Sequence, residues 1–353
     1  MDLEELLSYK KRVEKTLAAE LKNEGRAASK ISPRLTPFTD ATEEYTLRGG
    51  KRFRALLLLA GYHLAGGKNL AVPLPAAAAL ETFQSWMLIH DDVIDHSETR
   101  RGGPSMHVKM AEFHVDQELS GADTDFGSAA AITLGDLMET LTVRLLLSVK
   151  VPDARRTALL QEYVQMTRLT ALGQMLDIYF GTLPVGRVTE KDVLTVHRLK
   201  SAAYSVSSPL RLGAILGGAS PRFLEKLGEA GDLLGTAFQL RDDILGLGIT
   251  GDDVGKPTND LFEGKRTLLV VHAWNHASRP ERLALEKVLG NPLSTPRDLD
   301  HALDVIRDTG SLEYSEERIA QLREKALRSL KGLPKDKFHL LSQIATLLTD
   351  RRI

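Results

Sequence analysis

Two acidic pairs set in otherwise apolar helical segments constrain this chain more than any other feature. The first, Asp91-Asp92-Val93-Ile94-Asp95, closes an apolar stretch that begins at Leu80. The second, Asp242-Asp243, closes Gly235-Thr236-Ala237-Phe238-Gln239-Leu240-Arg241 some 150 residues later. On a helix, Asp91 and Asp95 stand one turn apart on one face, with Asp92 beside them. Burying the flank Trp86-Met87-Leu88-Ile89 draws these acids inward, where four or five carboxylates repel one another unless cations neutralise them. Mg²⁺ is a hard, oxygen-seeking ion that keeps waters and shares its sphere with phosphates, so it meets that need. The pattern points to a diphosphate held between two acidic helices.

The rest of the chain favours the same class of fold. Leu6, Leu7, Val13, Leu17 and Leu21 recur at helical spacing, and Ile31-Ser32-Pro33-Arg34-Leu35-Thr36-Pro37 then breaks the pattern. Periodicity predicts further helices over 52–65, 74–98, 105–119, 127–149, 154–180, 189–217 and 221–247. Gly66-Gly67, Pro73, Gly102-Gly103-Pro104, Val151-Pro152 and Gly217-Gly218 punctuate them. Residues 248–265 read as a long loop, the kind that tends to be functional inside a compact domain. Shorter helices are expected over 281–289, 297–308, 311–331 and 335–350. With no low-complexity linker and few alternating segments, one all-α domain over 1–353 is the economical reading.

Composition narrows the classes of function. The 353 residues are 42% hydrophobic, enough for a sizeable core, and the formal net charge of -1 offers no field for nucleic acid or an anionic membrane. Without cysteine, disulfides, thiolate metal sites and cysteine nucleophiles are excluded. The acidic N-terminus lacks a signal-peptide core and no uncharged apolar stretch approaches the ~18 residues of a membrane span, so a soluble protein is expected, and the lack of cysteine fits a reducing cytosol.

Three cationic clusters accompany the acids. His96-Ser97-Glu98-Thr99-Arg100-Arg101-Gly102-Gly103 follows the first motif, and guanidinium groups there can bind phosphate oxygens directly. Gly49-Gly50-Lys51-Arg52-Phe53-Arg54 opens a helix, where free N–H groups also attract anions. Gly255-Lys256-Pro257 and Glu263-Gly264-Lys265-Arg266 lie in the loop behind the second acidic pair. Each cluster taken singly is more often a solvated charged surface, and Lys200 taken singly reads equally well as a lysine whose stem is buried and whose head reaches water.

The order of the pieces is far more specific. Gly49-Gly50-Lys51-Arg52, Asp91-Asp92-x-x-Asp95 and Arg100-Arg101-Gly102 resemble the trans-isoprenyl diphosphate synthase (polyprenyl synthetase) family. So do Gly173-Gln174-x-x-Asp177, Lys200-Ser201, Phe238-Gln239-x-x-Asp242-Asp243 and Gly255-Lys256-Pro257. The resemblance spans roughly residues 45 to 270. It implies long antiparallel helices around a deep central cavity, a homodimer, three Mg²⁺ ions per active site, and head-to-tail condensation of isopentenyl diphosphate with an allylic diphosphate (dimethylallyl, geranyl or farnesyl). Carried over by motif, Asp91, Asp95 and Asp242 would bind metal, with Asp92 and Asp243 acting through metal-bound water. Arg100, Lys200, Gln239, Lys256 and Lys265 would contact the allylic diphosphate, and Lys51, Arg52, Gln84 and Arg101 would hold isopentenyl diphosphate. Gly50, Gln174, Asp177 and Phe238 belong to the same substrate-binding motifs. Many relatives have histidine where Gln84 stands, and an amide can serve the same anion.

Two departures stand out. Gly246 occupies the place of a common third aspartate, with Asp252, Asp253 and Asp260 as nearby sources of charge, and Ser201 replaces threonine. The rival enzyme is a terpene cyclase, which needs no second diphosphate site and so leaves Lys51, Arg52 and Arg101 unexplained; a non-catalytic modulating subunit would be expected to have lost an acidic motif. For product length, helix geometry favours Met87, one turn before Asp91, as lining for the growing tail. The resemblance adds Trp86, since an aromatic five positions before the motif is typical of short-chain synthases. The expected product is C20, with C15 next.

Overall fold

The computed structural model describes residues 1–248, 259–291 and 293–350. The fold is all-α, as the periodicity predicts, with one two-stranded hairpin among the described residues. The chain divides into two compact units, Met1–Leu160 with Leu212–Ala219, and Gln161–Arg211 with Ser220–Ile353.

The first unit contains α1 (Leu3–Ser8), α2 (Lys10–Ile31), α3 (Thr36–Leu47), α4 (Phe53–Leu64), α5 (Leu74–Ile94), α6 (Met106–Asp116) and α7 (Asp123–Leu147). Its axis is α5, which opens with proline in its first turn and buries Ala76 to Ser85 without interruption. A helix apolar on every side belongs inside a bundle. Thr82 meets Thr142 of α7 through their hydroxyls at 2.7 Å. Lower down, a Cβ at Gly135 would lie 2.4 Å from Nε2 of His90, so the glycine leaves room for the imidazole between α5 and α7.

The helix predicted over 74–98 ends four residues early. His96 adopts the left-handed conformation (φ 51°) and the Ser97 N–H returns to the Asp92 carbonyl at 2.9 Å. This is the six-to-one closure of a Schellman motif, with histidine where glycine usually signals the stop. The freed segment makes the hairpin of β1 (Thr99–Arg100) and β2 (Gly103–Pro104), with register Thr99↔Pro104 and Arg100↔Gly103. Its two loop residues, Arg101 (φ 53°) and Gly102 (φ 75°), both have the positive φ that a type I′ turn requires.

Along α8 (Asp153–Thr182) the chain enters the second unit, which holds α9 (Glu190–Val196), α11 (Pro221–Gly246), α12 (Asn259–Phe262), α13 (Leu268–His276), α14 (Arg279–Val288), α15 (Pro296–Asp308), α16 (Ser311–Ser329) and α17 (Lys335–Thr349), while most of α10 (Ser208–Gly217) belongs to the first. The helix predicted over 189–217 is three segments, because His197–Ser207 is wound as π-helix. Such segments cluster at functional sites, and this one contains Lys200 and Ser201. Helix α11 packs on it through small residues: a Cβ at Gly235 would stand 2.6 Å from the Ala202 Cα. The opposite flank of α11 is pinned by Arg241, which pairs with Glu316 of α16 and donates to the Thr349 carbonyl at 2.9 Å.

Candidate active site

In the first unit, Asp91 and Asp95 occupy the last turn of α5, joined by the Asp95 N–H to the Asp91 carbonyl at 2.8 Å. Asp92 turns the other way and is completely buried. Its Oδ2 accepts from the Tyr45 hydroxyl at 2.7 Å, and its Oδ1 accepts from Arg100 Nε at 2.7 Å and from Nη2. Burial lifts the Asp92 carboxyl above its ordinary value against the pull of Arg100 and Tyr45. Burial also works against the charge of Arg100, but Asp92 overrides it and the guanidinium is held more firmly protonated than usual. Asp92 thus anchors the motif from behind, with Asp91 and Asp95 one turn apart beside it.

The hairpin sends neighbouring arginines to different destinations. While Arg100 meets Asp92, Arg101 reaches the segment that opens α4, where its Nη1 donates to the Arg48 carbonyl at 3.4 Å. Gly50 (φ 108°) lies between guanidinium groups: a Cβ there would be 3.6 Å from Arg52 Nη1 and 3.7 Å from Arg101 Cζ. Burial and the charges of Arg52 and Arg54 push the Arg101 value down. Clustered cations beside a glycine-rich backbone are the environment an anion relieves. Strain accompanies the cluster, since Arg52 (φ 55°) and Arg101 both sit in the left-handed region that non-glycine residues avoid.

Within the cluster the structure differentiates residues that the sequence left equivalent. Lys51 is exposed, with its Nζ 6.0 Å from the Phe53 ring centre. Arg52 is buried and committed inward, donating to Glu81 Oε2 at 3.2 Å and the Thr46 carbonyl at 3.1 Å. Arg54 is half-buried, and its charge reaches Arg101. Gln84 is buried, with its amide oxygen lacking a hydrogen-bond partner among the described residues. Tyr45 and Glu81, which hold Asp92 and Arg52, had no signal in the sequence. Trp86 is half-buried, edge-on to Phe83 at 5.6 Å and His90 at 6.0 Å beside Gly135, and Met87 is half-buried as well.

In the second unit, Asp242 is half-buried near the C-terminal end of α11 and Asp243 is buried beside it. Gln239 Nε2 donates to Asp243 Oδ1 at 2.9 Å, and Nε2 of buried His197 lies 3.1 Å from Oδ2 without hydrogen-bond alignment. His197 is three residues before Lys200, and a single histidine in an apolar helix reads as core, so it has no signal in the sequence. Lys200 Nζ donates to Asp177 Oδ2 at 2.5 Å, while Ser201 and Phe238 are buried and Gln174 is half-buried. A Cβ at Gly173 would fall 2.2 Å from the Lys200 amide nitrogen, which explains the glycine in Gly173-Gln174-x-x-Asp177. Lys265 joins Asp260 at 3.1 Å and Glu263 at 2.5 Å. Burial raises the Asp260 carboxyl; Lys265 opposes that and the charge of Asp243 adds to it. Lys256, Asp252 and Asp253 lie outside the described residues.

The donor set suits Mg²⁺. Among the described residues no three carboxylates or imidazoles converge into a metal cage. Magnesium needs none, because it is commonly bound by one or two carboxylates together with substrate phosphates and water. Asp91 and Asp95, one helical turn apart, are the residues that would supply such a pair.

Residues 36–306 match the model of the polyprenyl synthetase family. The chain belongs to that family. It is a prenyltransferase of the all-α isoprenoid synthase fold. The enzyme is 34% identical over 302 residues to a geranylfarnesyl diphosphate synthase of Aeropyrum pernix, covering 81% of this chain and 84% of that one. It is 32% identical over 308 residues to a geranylgeranyl diphosphate synthase of Methanosarcina mazei, with 85% and 86% covered. A geranylgeranyl pyrophosphate synthase from Corynebacterium glutamicum, solved with isoprenyl diphosphate and magnesium, superposes with a TM-score of 0.91 at 33% identity, covering 98% of this chain and 99% of that one. Among the described residues no helix is long and apolar enough to cross a membrane.

Proposed function

We propose that the enzyme condenses isopentenyl diphosphate head-to-tail with allylic diphosphates to give a short all-trans prenyl diphosphate, C20 as the main product. The observation that carries this reading is the split at the hairpin. One arginine is tied to an acidic, metal-suited motif and its neighbour to a separate cationic cluster, so the first unit alone has the means to hold two diphosphates. A cyclase would need one. The relatives named for geranylgeranyl and geranylfarnesyl products support a short chain and extend the plausible range to C25. The reading has both units working as one synthase domain, in a cytoplasmic homodimer.

In this proposal Asp91, Asp95 and Asp242 hold Mg²⁺, three ions in all, which neutralise the allylic diphosphate and stabilise it as a leaving group. Arg100, Lys200, Lys256 and Lys265 add positive charge to the same diphosphate. Lys51, Arg52, Gln84 and Arg101 orient isopentenyl diphosphate, Arg52 by shaping the backbone at Gly50 and Arg54 by adding to the charge. The allyl cation left after the C–O bond breaks must be shielded from water by an apolar wall, which Phe238, Trp86 and Met87 help to form. The Ser201 hydroxyl and the Gln239 amide oxygen offer it partial negative charge. When the isopentenyl double bond attacks, the proton lost from the adjacent carbon goes to the departing diphosphate oxygen.

The test is a Mg²⁺-dependent assay with labelled isopentenyl diphosphate and C5, C10 and C15 primers, resolving products by length. Incorporation of label into C20 is expected. Asp91→Ala and Asp242→Ala should each lose about 10² to 10³ in turnover. A labelled substrate left unincorporated, or near-normal turnover in either variant, defeats the reading.

A further inference from the structure

Helix α4 begins without a cap of its own. Its N-cap residue, Arg52, sits in the left-handed region (φ 55°), and the Arg52 side chain makes no capping hydrogen bond. The N–H groups of a first helical turn need acceptors, and a side-chain oxygen at the N-cap usually supplies one. Here the acceptor comes from another helix. Glu81, buried in the first half of α5, accepts from the Ala55 N–H through Oε1 at 3.4 Å and from Arg52 Nη1 through Oε2 at 3.2 Å.

One carboxylate therefore holds both the first turn of α4 and the guanidinium of the residue before it. The other anion near Arg52 is a poorer partner. Glu14 Oε1 lies 3.5 Å from Arg52 Nε, which has no aligned acceptor among the described residues, and the Glu14 side chain is 36% exposed. Drawn inward, Arg52 carries the strained backbone that adjoins exposed Lys51 and Gly50, where a Cβ would stand 3.6 Å from Arg52 Nη1. The nitrogen bonded to Glu81 is thus the one beside Gly50. A non-glycine residue persists in the left-handed region only where its surroundings over-determine it, and Glu81 contributes two fixed contacts to that end. Its charge also reaches the rest of the cluster: burial and then Arg52 oppose protonation of Arg101, and Glu81 favours it.

We infer that Glu81 is a positioning residue for isopentenyl diphosphate: acting through Arg52, it sets the left-handed turn that brings Gly50, Lys51 and the arginines into register for the diphosphate. A carboxylate does not bind a diphosphate of like charge, so Glu81 works by geometry. Its effect belongs in the binding of one substrate and not in the chemical step. The inference rests on the synthase reading and adds a dependence which that reading does not contain.

Steady-state kinetics with each substrate varied in turn test this, for Glu81→Gln, Glu81→Ala, Arg52→Ala and Arg52→Ala/Glu81→Ala. A hydrogen bond to a charged group is worth about 10-fold or more in an equilibrium constant, so Glu81→Ala should raise the KM for isopentenyl diphosphate about 10-fold. Turnover at saturation and the KM for the allylic primer should stay within about 2-fold of the parent. Glu81→Gln, which keeps one acceptor, should fall between parent and Glu81→Ala. Because both residues act in one chain of contacts, the double variant should be no worse than the worse single variant. The rise in Tm that isopentenyl diphosphate gives the full chain should shrink in the same order. An unchanged or lowered KM in Glu81→Gln, equal losses for both substrates, or additive effects in the double variant overturns the inference, while an active parent leaves the synthase reading standing. A parent that incorporates no isopentenyl diphosphate removes both. Circular dichroism monitors folding, and if Glu81→Ala does not fold, Glu81→Gln decides: a KM within about 2-fold of the parent's overturns the proposal.

Discussion

Replacing Arg100 with methionine keeps a long side chain but strips the guanidinium from a carboxylate that has no solvent exposure. Asp92 then loses both contacts to Oδ1 and retains only the Tyr45 hydroxyl at 2.7 Å. Removing one partner of a buried ion pair costs about 3–5 kcal/mol, because the remaining charge is left uncompensated. The Arg100 side chain is 18% exposed, so water can follow it in, and Tyr45 still donates. The lower end, about 3 kcal/mol, is the expected loss, or roughly 6–12 °C in Tm for a unit of this size. The pH dependence has a definite sign. A carboxyl whose folded value is raised contributes stability in full below about 3.9 and loses it as pH rises through the folded value. Burial has already raised Asp92, and without Arg100 it rises further, so the deficit of Arg100→Met should widen from about pH 4 upward. Thermal melts followed by circular dichroism measure this, with Asp92→Asn/Arg100→Met as the partner variant, since an amide accepts from Tyr45 without carrying charge. A Tm within about 2 °C of the parent, or a double variant as unstable as Arg100→Met, would refute the reasoning.

His197→Ala removes the imidazole behind Asp243 and should lower turnover about 10-fold with little change in either KM, as steady-state kinetics would show. Glu44 is held down to about 2 by Arg48 and then Lys109, against an opposing effect of burial, so it stabilises above its ordinary value and that contribution is lost as pH falls toward about 2. Melts taken from pH 5 down to pH 2 should therefore decline less steeply in Glu44→Gln than in the parent. Trp86→Ala, alone or with Met87→Ala, should shift products beyond C20, and an unaltered chromatographic profile in the double variant would place the floor of the pocket on another helix.

The motif helices were legible because each joins a long apolar period to acids at one end, a combination that leaves little choice of structure. What escaped was local geometry without a dedicated residue signal. Helix α5 stops at Ile94 through His96 in the left-handed region, and the turn that follows uses Arg-Gly instead of the Asn-Gly that announces a type I′ loop. The π-helical winding of 197–207 was read as ordinary helix, since both windings bury similar apolar residues. Arg52 shows a different limit: a sequence registers a cation but not its direction, and here the side chain turns inward to Glu81. Gly246 becomes readable only once Asp260 is seen above it, with Oδ2 2.6 Å from where a Cβ would stand.

The hairpin at 99–104 has a consequence for how this chain can change. Surface loop tips are ordinarily where insertions and deletions are tolerated, and Gly102 is exposed. Here, however, Arg100 and Arg101 are separated by one peptide bond and serve different neighbourhoods, and a slip of one residue in a strand pair reverses the side to which each side chain points. One added or deleted residue would hand Arg101 to Asp92 or withdraw Arg100 from it. This exposed turn should therefore keep its length as strictly as a buried helix, drifting by substitution and not by insertion or deletion.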